Sequence, residues 1–417
     1  MGRPSRSIPM QRLQAVDRFL GRVVCLALQP WRWLRGLRPR REPARVERVL
    51  LIKFWGIGSL QLLTPAVRTL RRRHRGAELV LLTLSDNEPF VRGLGVFDGV
   101  VGLDIRSNSW FGIAGRILGL VHRLRRERFD RIYDFEFFTR FSAVVSFVTG
   151  APCTVGFGST SAWRGQLHTE DVPFNRYWHV ARNFRALAGG ENGGEVAAEE
   201  VDPFVPTAED RAGLAAKLAR GGLELGEPYV VLNPNAGSLS LERRWPQASF
   251  AEVAQRVNDG TRATTILIGS ASEREYTAGV RTAMREEGAP RLLDMSGELT
   301  IGELCTLLAG AQAVVSNDSG PMHLSAALGA PTLGLFGPET PMMYEPIGPQ
   351  ARVLWKPPVC SPCINVHQGK VASCIHTRPE CMVNITPDEV WSWVGEQLGE
   401  PPARLHLFGS QPRAQDA

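Results

Sequence analysis

Val314-Val315-Ser316-Asn317-Asp318-Ser319-Gly320-Pro321-Met322-His323-Leu324 joins two kinds of local structure in eleven residues. A short apolar run ends in polar residues, meets Gly320 and Pro321, and gives way to the small-residue run from Ser325 to Leu328. That order predicts a buried strand feeding straight into a helix. Proline in the first turn forfeits no helical hydrogen bond, and Asp or Ser before it caps free N–H groups. A helix N-terminus at the carboxyl end of a parallel strand collects unpaired donors and the positive end of the dipole, which suits a pyrophosphate. On that reading Asp318, Ser319, Gly320 and His323 surround an anionic donor. As ordinary capping, the same residues give a helix with a core-facing histidine.

Around this stretch the same alternation repeats. Tyr229 to Leu232, Thr265 to Ile268, Leu292 to Met295 and Thr332 to Phe336 read as further strands with helices between them, one of which opens at Thr207-Ala-Glu-Asp210. Upstream, Gly189-Gly190-Glu191-Asn192-Gly193-Gly194 puts four glycines in six residues, a poor core element and a good linker. Before it lie strands at Val49 to Phe54, Leu79 to Leu84, Val100 to Leu103 and Arg131 to Phe135, a fifth near Thr154 to Phe157, and a basic helix from Arg116 to Glu127. Such alternation argues for parallel sheets covered on both faces. The expected layout is a basic amphipathic extension (1–45), a first α/β domain (46–188), a linker (189–206), a second α/β domain (207–399) and a loose tail (400–417).

The 417 residues, 43% hydrophobic and 22% charged, suffice for two domains with real cores. The net charge of +6 is misleading, because residues 1–45 hold eleven Arg against Asp17 and Glu42, a balance of +9. The remainder is therefore at −3 (6 − 9), which speaks against a nucleic-acid partner. Within the extension, Val16, Phe19, Leu20, Val23, Val24, Ala27, Trp31, Trp33 and Leu34 approximate one helical face among arginines. That pattern suits contact with an anionic membrane through residues 10–38, a disordered basic tail, or a helix docked on the protein itself. Neither a secretory signal nor an apolar run of spanning length is evident, so the expected location is cytoplasmic, peripheral on the inner membrane if the extension binds lipid.

The segment SNDSGPMHLSAALGAPTLGLFGP resembles the signature of the ADP-heptose:lipopolysaccharide heptosyltransferases, glycosyltransferase family nine, whose pattern is close to NDTGPMHLAAALGxPxxALFGP. IKFWGIGSLQLLTPAVRTL near the start, NPNAGSLSLERRWP and LIGSASERE in the middle, and CSPC with a later Cys-Met follow in the family's order, over roughly residues 47 to 395. The resemblance implies a GT-B fold, two doubly wound Rossmann-like domains facing each other across a cleft. It places the acceptor on the N-terminal half and the nucleotide-sugar on the C-terminal half. It also implies an inverting transferase that needs neither cofactor nor catalytic metal. No Asp-x-Asp metal motif occurs in the chain.

The family's positions fall on residues of this chain as follows. Arg243 stands where the family usually has Lys before x-Trp-Pro, and Ser238 near its phosphate-facing Ser or Thr. Glu273 matches an acidic residue that holds ribose hydroxyls, and Leu299 falls near a nucleobase contact. Two positions depart from the pattern. The first loop usually reads Gly-Asp, with the Asp as candidate base, and here it is Gly58-Ser59. After the fourth strand the family often reads D-x-Q-G, and here it is Asp134-Phe135-Glu136-Phe137. In a sheet of order 3-2-1-4-5 these two places flank the switch point, so the base is expected to have moved to Glu136 beside Ser59. The alternative is a salt-bridged carboxylate in a weakened enzyme. Arg140, one turn on, is read as an acceptor contact or a partner of Glu136. Cys360, Cys363, Cys374 and Cys381 form C-x₂-C-x₁₀-C-x₆-C, either a structural metal site or a reduced-thiol loop.

The sequence thus points to transfer of a sugar, heptose from ADP-heptose being the family expectation, onto a lipid-linked or envelope glycan. Two rivals remain: a nucleotide-sugar binding homologue that has lost the base, and a sugar-nucleotide epimerase of similar shape.

Overall fold

The computed structural model describes residues 10–36, 45–106, 109–158, 163–190, 193–237, 240–285, 291–364 and 374–399, with side chains from residue 15. Two helices, α1 (Met10–Ala27) and α2 (Gln29–Gly36), precede the first sheet. Its strands are β1 (Arg48–Ile52), β2 (Glu78–Leu84), β3 (Gly99–Leu103), β4 (Arg131–Asp134), β5 (Cys153–Gly158) and β6 (Glu170–Pro173). Between and after them run α3 (Ile57–Gln61), α4 (Thr64–Arg73), α5 (Glu88–Leu94), α6 (Trp110–Glu127), α7 (Arg140–Thr149) and α8 (Val180–Leu187). The order across the sheet is β3-β2-β1-β4-β5-β6, every pairing parallel.

The second sheet repeats the plan with β7 (Tyr229–Asn233), β8 (Thr264–Leu267), β9 (Leu292–Asp294), β10 (Ala313–Asn317), β11 (Thr332–Phe336) and β12 (Ala351–Trp355). Its order, β12-β11-β10-β7-β8-β9, is again wholly parallel. Its helices are α9 (Ala208–Arg220), α10 (Gln247–Gly260), α11 (Arg274–Thr282), α12 (Ile301–Gly310), α13 (Gly320–Ala327), α14 (Pro341–Tyr344), α15 (Glu380–Val383) and α16 (Pro387–Gln397). Central strands are buried on both faces, as helix-covered parallel strands must be: Val49, Leu50, Leu51 and Ile52 expose nothing. This is the doubly wound pair of domains that the alternation implied, in the GT-B layout that the resemblance implied.

Two strands escape the apolar pattern, and both lie at edges. β6 reads Glu170-Asp171-Val172-Pro173 and is mostly exposed; β12 is only half-buried. An edge strand has one free side and tolerates charge and proline, so it lacks the buried run by which inner strands are recognised. The basic helix also begins earlier than Arg116, at Trp110.

The segment leading into the second domain is held rather than loose. The Asp202 carboxylate receives Arg68, the Asp202 N–H donates to Thr64 Oγ1 at 3.0 Å, and Phe204 stacks on Phe90 with ring centroids 5.9 Å apart. Thr207 then caps α9, its hydroxyl accepting the N–H of Asp210 at 3.1 Å. Within the extension, α1 and α2 are likewise docked on the first domain. α1 packs along α7, and Asp17 accepts the N–H groups of Arg140 (3.0 Å) and Phe141 (2.8 Å), capping a helix whose own N-cap residue supplies no side-chain bond. Cys25 is fully buried in a small cluster with Phe147 and Leu167, and Arg35 donates to Phe147 O at 2.7 Å.

Candidate active site

The first domain brings the ends of β1 and β4 together. After β1 the chain turns at Lys53-Phe54-Trp55-Gly56, with Gly56 at φ +83°, a left-handed conformation that suits glycine, and α3 follows at once. Glu136, carried from β4, stands fully buried beneath this turn. Its Oε1 accepts the N–H groups of Phe54 (2.7 Å) and Trp55 (3.1 Å) and Lys53 Nζ (2.9 Å). Its Oε2 is buried without a hydrogen bond to a described residue. Glu136 thus holds the loop after β1 and is paired with a lysine of 2% side-chain exposure, the salt bridge that the alternative reading named. Ser59 is half-buried in the first turn of α3, against Gly56.

Asp134 is a structural anion. It accepts from Arg164, lies 3.1 Å from His168 Nε2 and receives the Glu136 N–H at 3.1 Å. Burial pushes its carboxyl up, but Arg164 and His168 outweigh that and hold it below the usual range. Arg140 is placed by the N-terminal extension. At 4% exposure it lies beneath α1, its stem against Gly21 and its N–H on Asp17, so it faces the extension.

The second domain contributes the turns after β7 and β10. Asn233 Nδ2 donates to Ser316 Oγ (2.9 Å) and Ser319 Oγ (2.8 Å), while Asn317 donates to Pro234 O (2.9 Å) and accepts the N–H of Trp245 (3.0 Å). These amides tie the two turns into one rigid platform. Arg243 is part of it: Nη1 donates to Asp318 O at 2.6 Å and to its carboxylate at 3.1 Å, Nη2 to Ala236 O and Nε to Ser240 O at 3.4 Å. Most of its five donors are thus occupied by the protein, so it aims Asp318 and the start of α13 instead of lying open for a phosphate grip. Ser319 is the N-cap of α13, and Gly320 and Pro321 open the helix.

The two halves meet where these turns face each other. A Cβ placed on Gly58 would stand 2.4 Å from His323 Cδ2 and 3.4 Å from Gly320 Cα. Only glycine lets α3 approach the start of α13 so closely. Behind this contact Tyr344 is buried. Desolvation, then the carboxylates of Glu339, Asp318 and Glu136, raise its hydroxyl well above the ordinary value, with Arg243 opposing them. Glu136 from one domain and Asp318 from the other therefore act on a single phenol. His179 Nε2, 3.0 Å from Glu345 O, adds another link across the cleft.

The remaining expected residues lie on other turns of the second domain. Glu273 caps its own turn, its Oε2 accepting Ser270 N (3.0 Å) and Oγ (2.7 Å), while Oε1 lies 3.8 Å from Arg244. It lines a surface depression of about 360 Å³ with Arg244, Gln247, Ser272, Glu275 and Tyr276. There the Arg244 guanidinium lies 3.8 Å over the Tyr276 ring. Leu299 is half-buried just before the N-cap of α12. Ser238 lies outside the described residues. The four C-terminal cysteines are free, Cys360 Sγ standing 3.7 Å from His376 Nε2. Among the described residues no group of three or more His, Cys, Asp or Glu is placed to hold a metal ion.

Sequence reasoning missed Lys53, Tyr344, Glu339 and Arg244. A lysine closing the apolar run of β1 was the one available signal, since a charge there needs a buried partner.

Comparison with known proteins agrees with this fold. The profile of glycosyltransferase family 9 (heptosyltransferase) matches residues 117–373. Lipopolysaccharide heptosyltransferase 2 of Escherichia coli K12 is 26% identical over 365 residues, covering 82% of this chain and 96% of that protein. Among solved structures, E. coli ADP-heptose LPS heptosyltransferase II superimposes with a TM-score of 0.67 at 21% identity, over 84% of this chain and 98% of that one. The iron-containing dodecameric glycosyltransferase TibC of enterotoxigenic E. coli shares the fold more distantly, with a TM-score of 0.52 at 14% identity, over 86% and 77% of the two chains. With the profile spanning more than half of its length, the chain belongs to glycosyltransferase family 9, the heptosyltransferase family, and is a glycosyltransferase.

Proposed function

We propose that the protein is an inverting, metal-independent transferase that moves a sugar from an ADP-sugar, heptose being the first candidate, to a lipopolysaccharide or other lipid-linked envelope glycan. The acceptor would be met at the cytoplasmic face of the inner membrane. The observation that carries this reading is the apposition of Gly58 with Gly320 and His323, which sets the first-domain loop against a helix start at a strand's carboxyl end. Donor and acceptor would meet there, at the switch point of both sheets.

The chemistry follows from the groups present. An acceptor hydroxyl attacks the anomeric carbon, the bond to the diphosphate breaks, and negative charge grows on the leaving group. The N–H groups opening α13, with Ser319 and His323, would stabilise that charge, and Arg243 would hold them in place through Asp318. Glu273, with Arg244 and Tyr276 beside it, would take the ribose, and Leu299 the base. The backbone at Gly237, just before Ser238, would add to the diphosphate seat. Glu136 is the proposed proton acceptor, because Oε2 makes no hydrogen bond to a described residue while Oε1 is bound by Lys53 and the loop; Ser59 would orient the hydroxyl. Metal independence is supported by the lack of an Asp-x-Asp motif and by the arginine and helix dipole in its place.

A second reading, a donor-binding homologue with weak turnover, is favoured by one feature: the complete burial of Glu136 in its ion pair. Thermal stabilisation across ADP, UDP, GDP and CMP, followed by transfer from ADP-heptose to delipidated core oligosaccharide with and without EDTA, separates the readings. Stabilisation by ADP alone with EDTA-resistant product supports the transferase. Indifference to all four nucleotides overturns both.

A further inference from the structure

α1 and α6 both pack against α7, so their outer faces look out of the same helical layer of the first domain. α1 turns Asp17, Gly21 and Cys25 inward, and its opposite side bears Phe19, Leu20, Val23 and Leu26 at 79, 52, 50 and 60% exposure. α2 extends the strip with Trp31, Trp33 and Leu34, exposed by 50, 66 and 55%. α6 buries Ile113, Leu120 and Leu124 and leaves Phe111 (91%) and Leu118 (70%) outside, seven residues apart on one stripe, with Trp110 (46%) at its first turn. Single exposed hydrophobes are ordinary; this many on two helices remote in sequence are not.

Charge decides what covers them. Arg18, Arg22 and Arg32 are exposed among the aromatics of α1 and α2, and the sole acid of residues 10–36, Asp17, is turned inward to cap α7. Arg38, Arg40 and Arg41 follow directly in the sequence. A second copy of the chain, meeting this face about a two-fold axis, would set arginines against arginines. An anionic lipid surface instead receives both tryptophans and arginines, the combination of apolar area and positive charge that holds a helix in a bilayer interface. No described helix is long and apolar enough to cross a membrane, so the contact lies on the surface.

We propose that the outer faces of α1, α2 and the first half of α6 together form a docking surface for an anionic lipid bilayer. α6 starts at the carboxyl edge of its sheet, so Phe111 touches lipid on the rim where the cleft opens, which delivers a lipid-linked acceptor without extracting it. This deepens the transferase reading and rests on it for its purpose, while the surface stands on exposure and charge.

Flotation of the full chain with phosphatidylcholine vesicles, with and without phosphatidylglycerol, tests it. Binding that requires phosphatidylglycerol and is released by salt is expected. The double variant Phe19→Glu/Leu20→Glu and the single Phe111→Glu should each weaken it about tenfold or more, with the thermal midpoint and transfer to a delipidated acceptor unchanged. Absence of flotation, equal flotation of the variants, or a variant-sensitive dimer in sedimentation without lipid binding would each overturn the proposal. Lost nucleotide stabilisation would strike the transferase reading alone and leave vesicle binding untouched.

Discussion

Glu136 concentrates what can be tested one residue at a time. Replacing it by Gln keeps the shape and a loop hydrogen bond but removes the charge opposite Lys53, which is buried and left without its counter-ion. If Oε2 takes the acceptor proton, Glu136→Gln should lower kcat by about 10²-fold or more, the range for lost general-base action, with ADP affinity unchanged. Measured together, kcat and the ADP dissociation constant separate this from a loop-holding role, which would weaken both through the displaced start of α3. The substitutions at 59 and 136 were legible in the sequence as a lost and a gained carboxylate. Burial was not, because it depends on Lys53 and on a loop N–H pair that no spacing reveals. Arg140 shows the same limit: its surroundings are set by α1, more than a hundred residues away in the chain. A second residue tests the electrostatics of folding. His74, 2.8 Å from Tyr133 Oη, is lowered to about 4 by burial and by Arg131 and Arg73. The unfolded chain binds a proton near the ordinary value of 6.5, the folded one only near 4, so stability should fall as pH drops through that window. Urea midpoints at neutral and mildly acidic pH should converge in His74→Gln relative to the parent; identical pH dependence would remove His74 from the account.

Elements differ in how much of themselves they write into the chain. Inner strands announce themselves as apolar runs because both faces are covered, and all ten expected strands are present, displaced at their ends by a residue or two. β6 and β12 carry no such run, since edges are free to be polar, and both were missed for that reason. The strand-to-helix reading of 314–324 likewise follows from local chemistry, and β10 and α13 abut as it implied. What the sequence could not show was the element across the cleft. α3 has five residues, and its importance lies in the bare Gly58 that meets His323. Gly58→Ala should push the two helix starts apart, costing about 1–3 kcal/mol in urea unfolding as overpacked sites do, and lowering kcat/KM for transfer. Gly119 on α6 is the contrast: a Cβ there meets nothing within 4 Å, and the helix is exposed on that side. Gly119→Ala should therefore stabilise by about 0.5–1 kcal/mol, the helix-propensity difference, without altering transfer. If both alanines behaved alike, the close approach at Gly58 would have no energetic content.

At the scale of the molecule, the two domains share more than a cleft. One contiguous apolar cluster runs from Val49, Leu51 and Leu81 of the first sheet to Val231, Ile266 and Val314 of the second, by way of Phe90, Phe204 and the helices between them. Linkage by burial is cooperative: removing either half would bare apolar area on the other, so neither is expected to melt independently. That bears on function, since a transferase with a donor seat on one domain and an acceptor loop on the other needs the two held in register while still admitting ligand. Trp245, fully buried beside Phe250 in the second domain, and Trp55, half-buried in the turn after β1 in the first, offer probes on either side of the cleft. With the other tryptophans replaced, each reporter should give the same urea midpoint. ADP at about a hundred times its dissociation constant should raise stability by about 2.7 kcal/mol for both, because a ligand that binds only the folded state stabilises the whole cooperative unit. Two separated transitions, with ADP moving that of Trp245 alone, would mean that the domains are thermodynamically independent. The Gly58 and His323 contact would then be too weak to couple donor binding to the acceptor side.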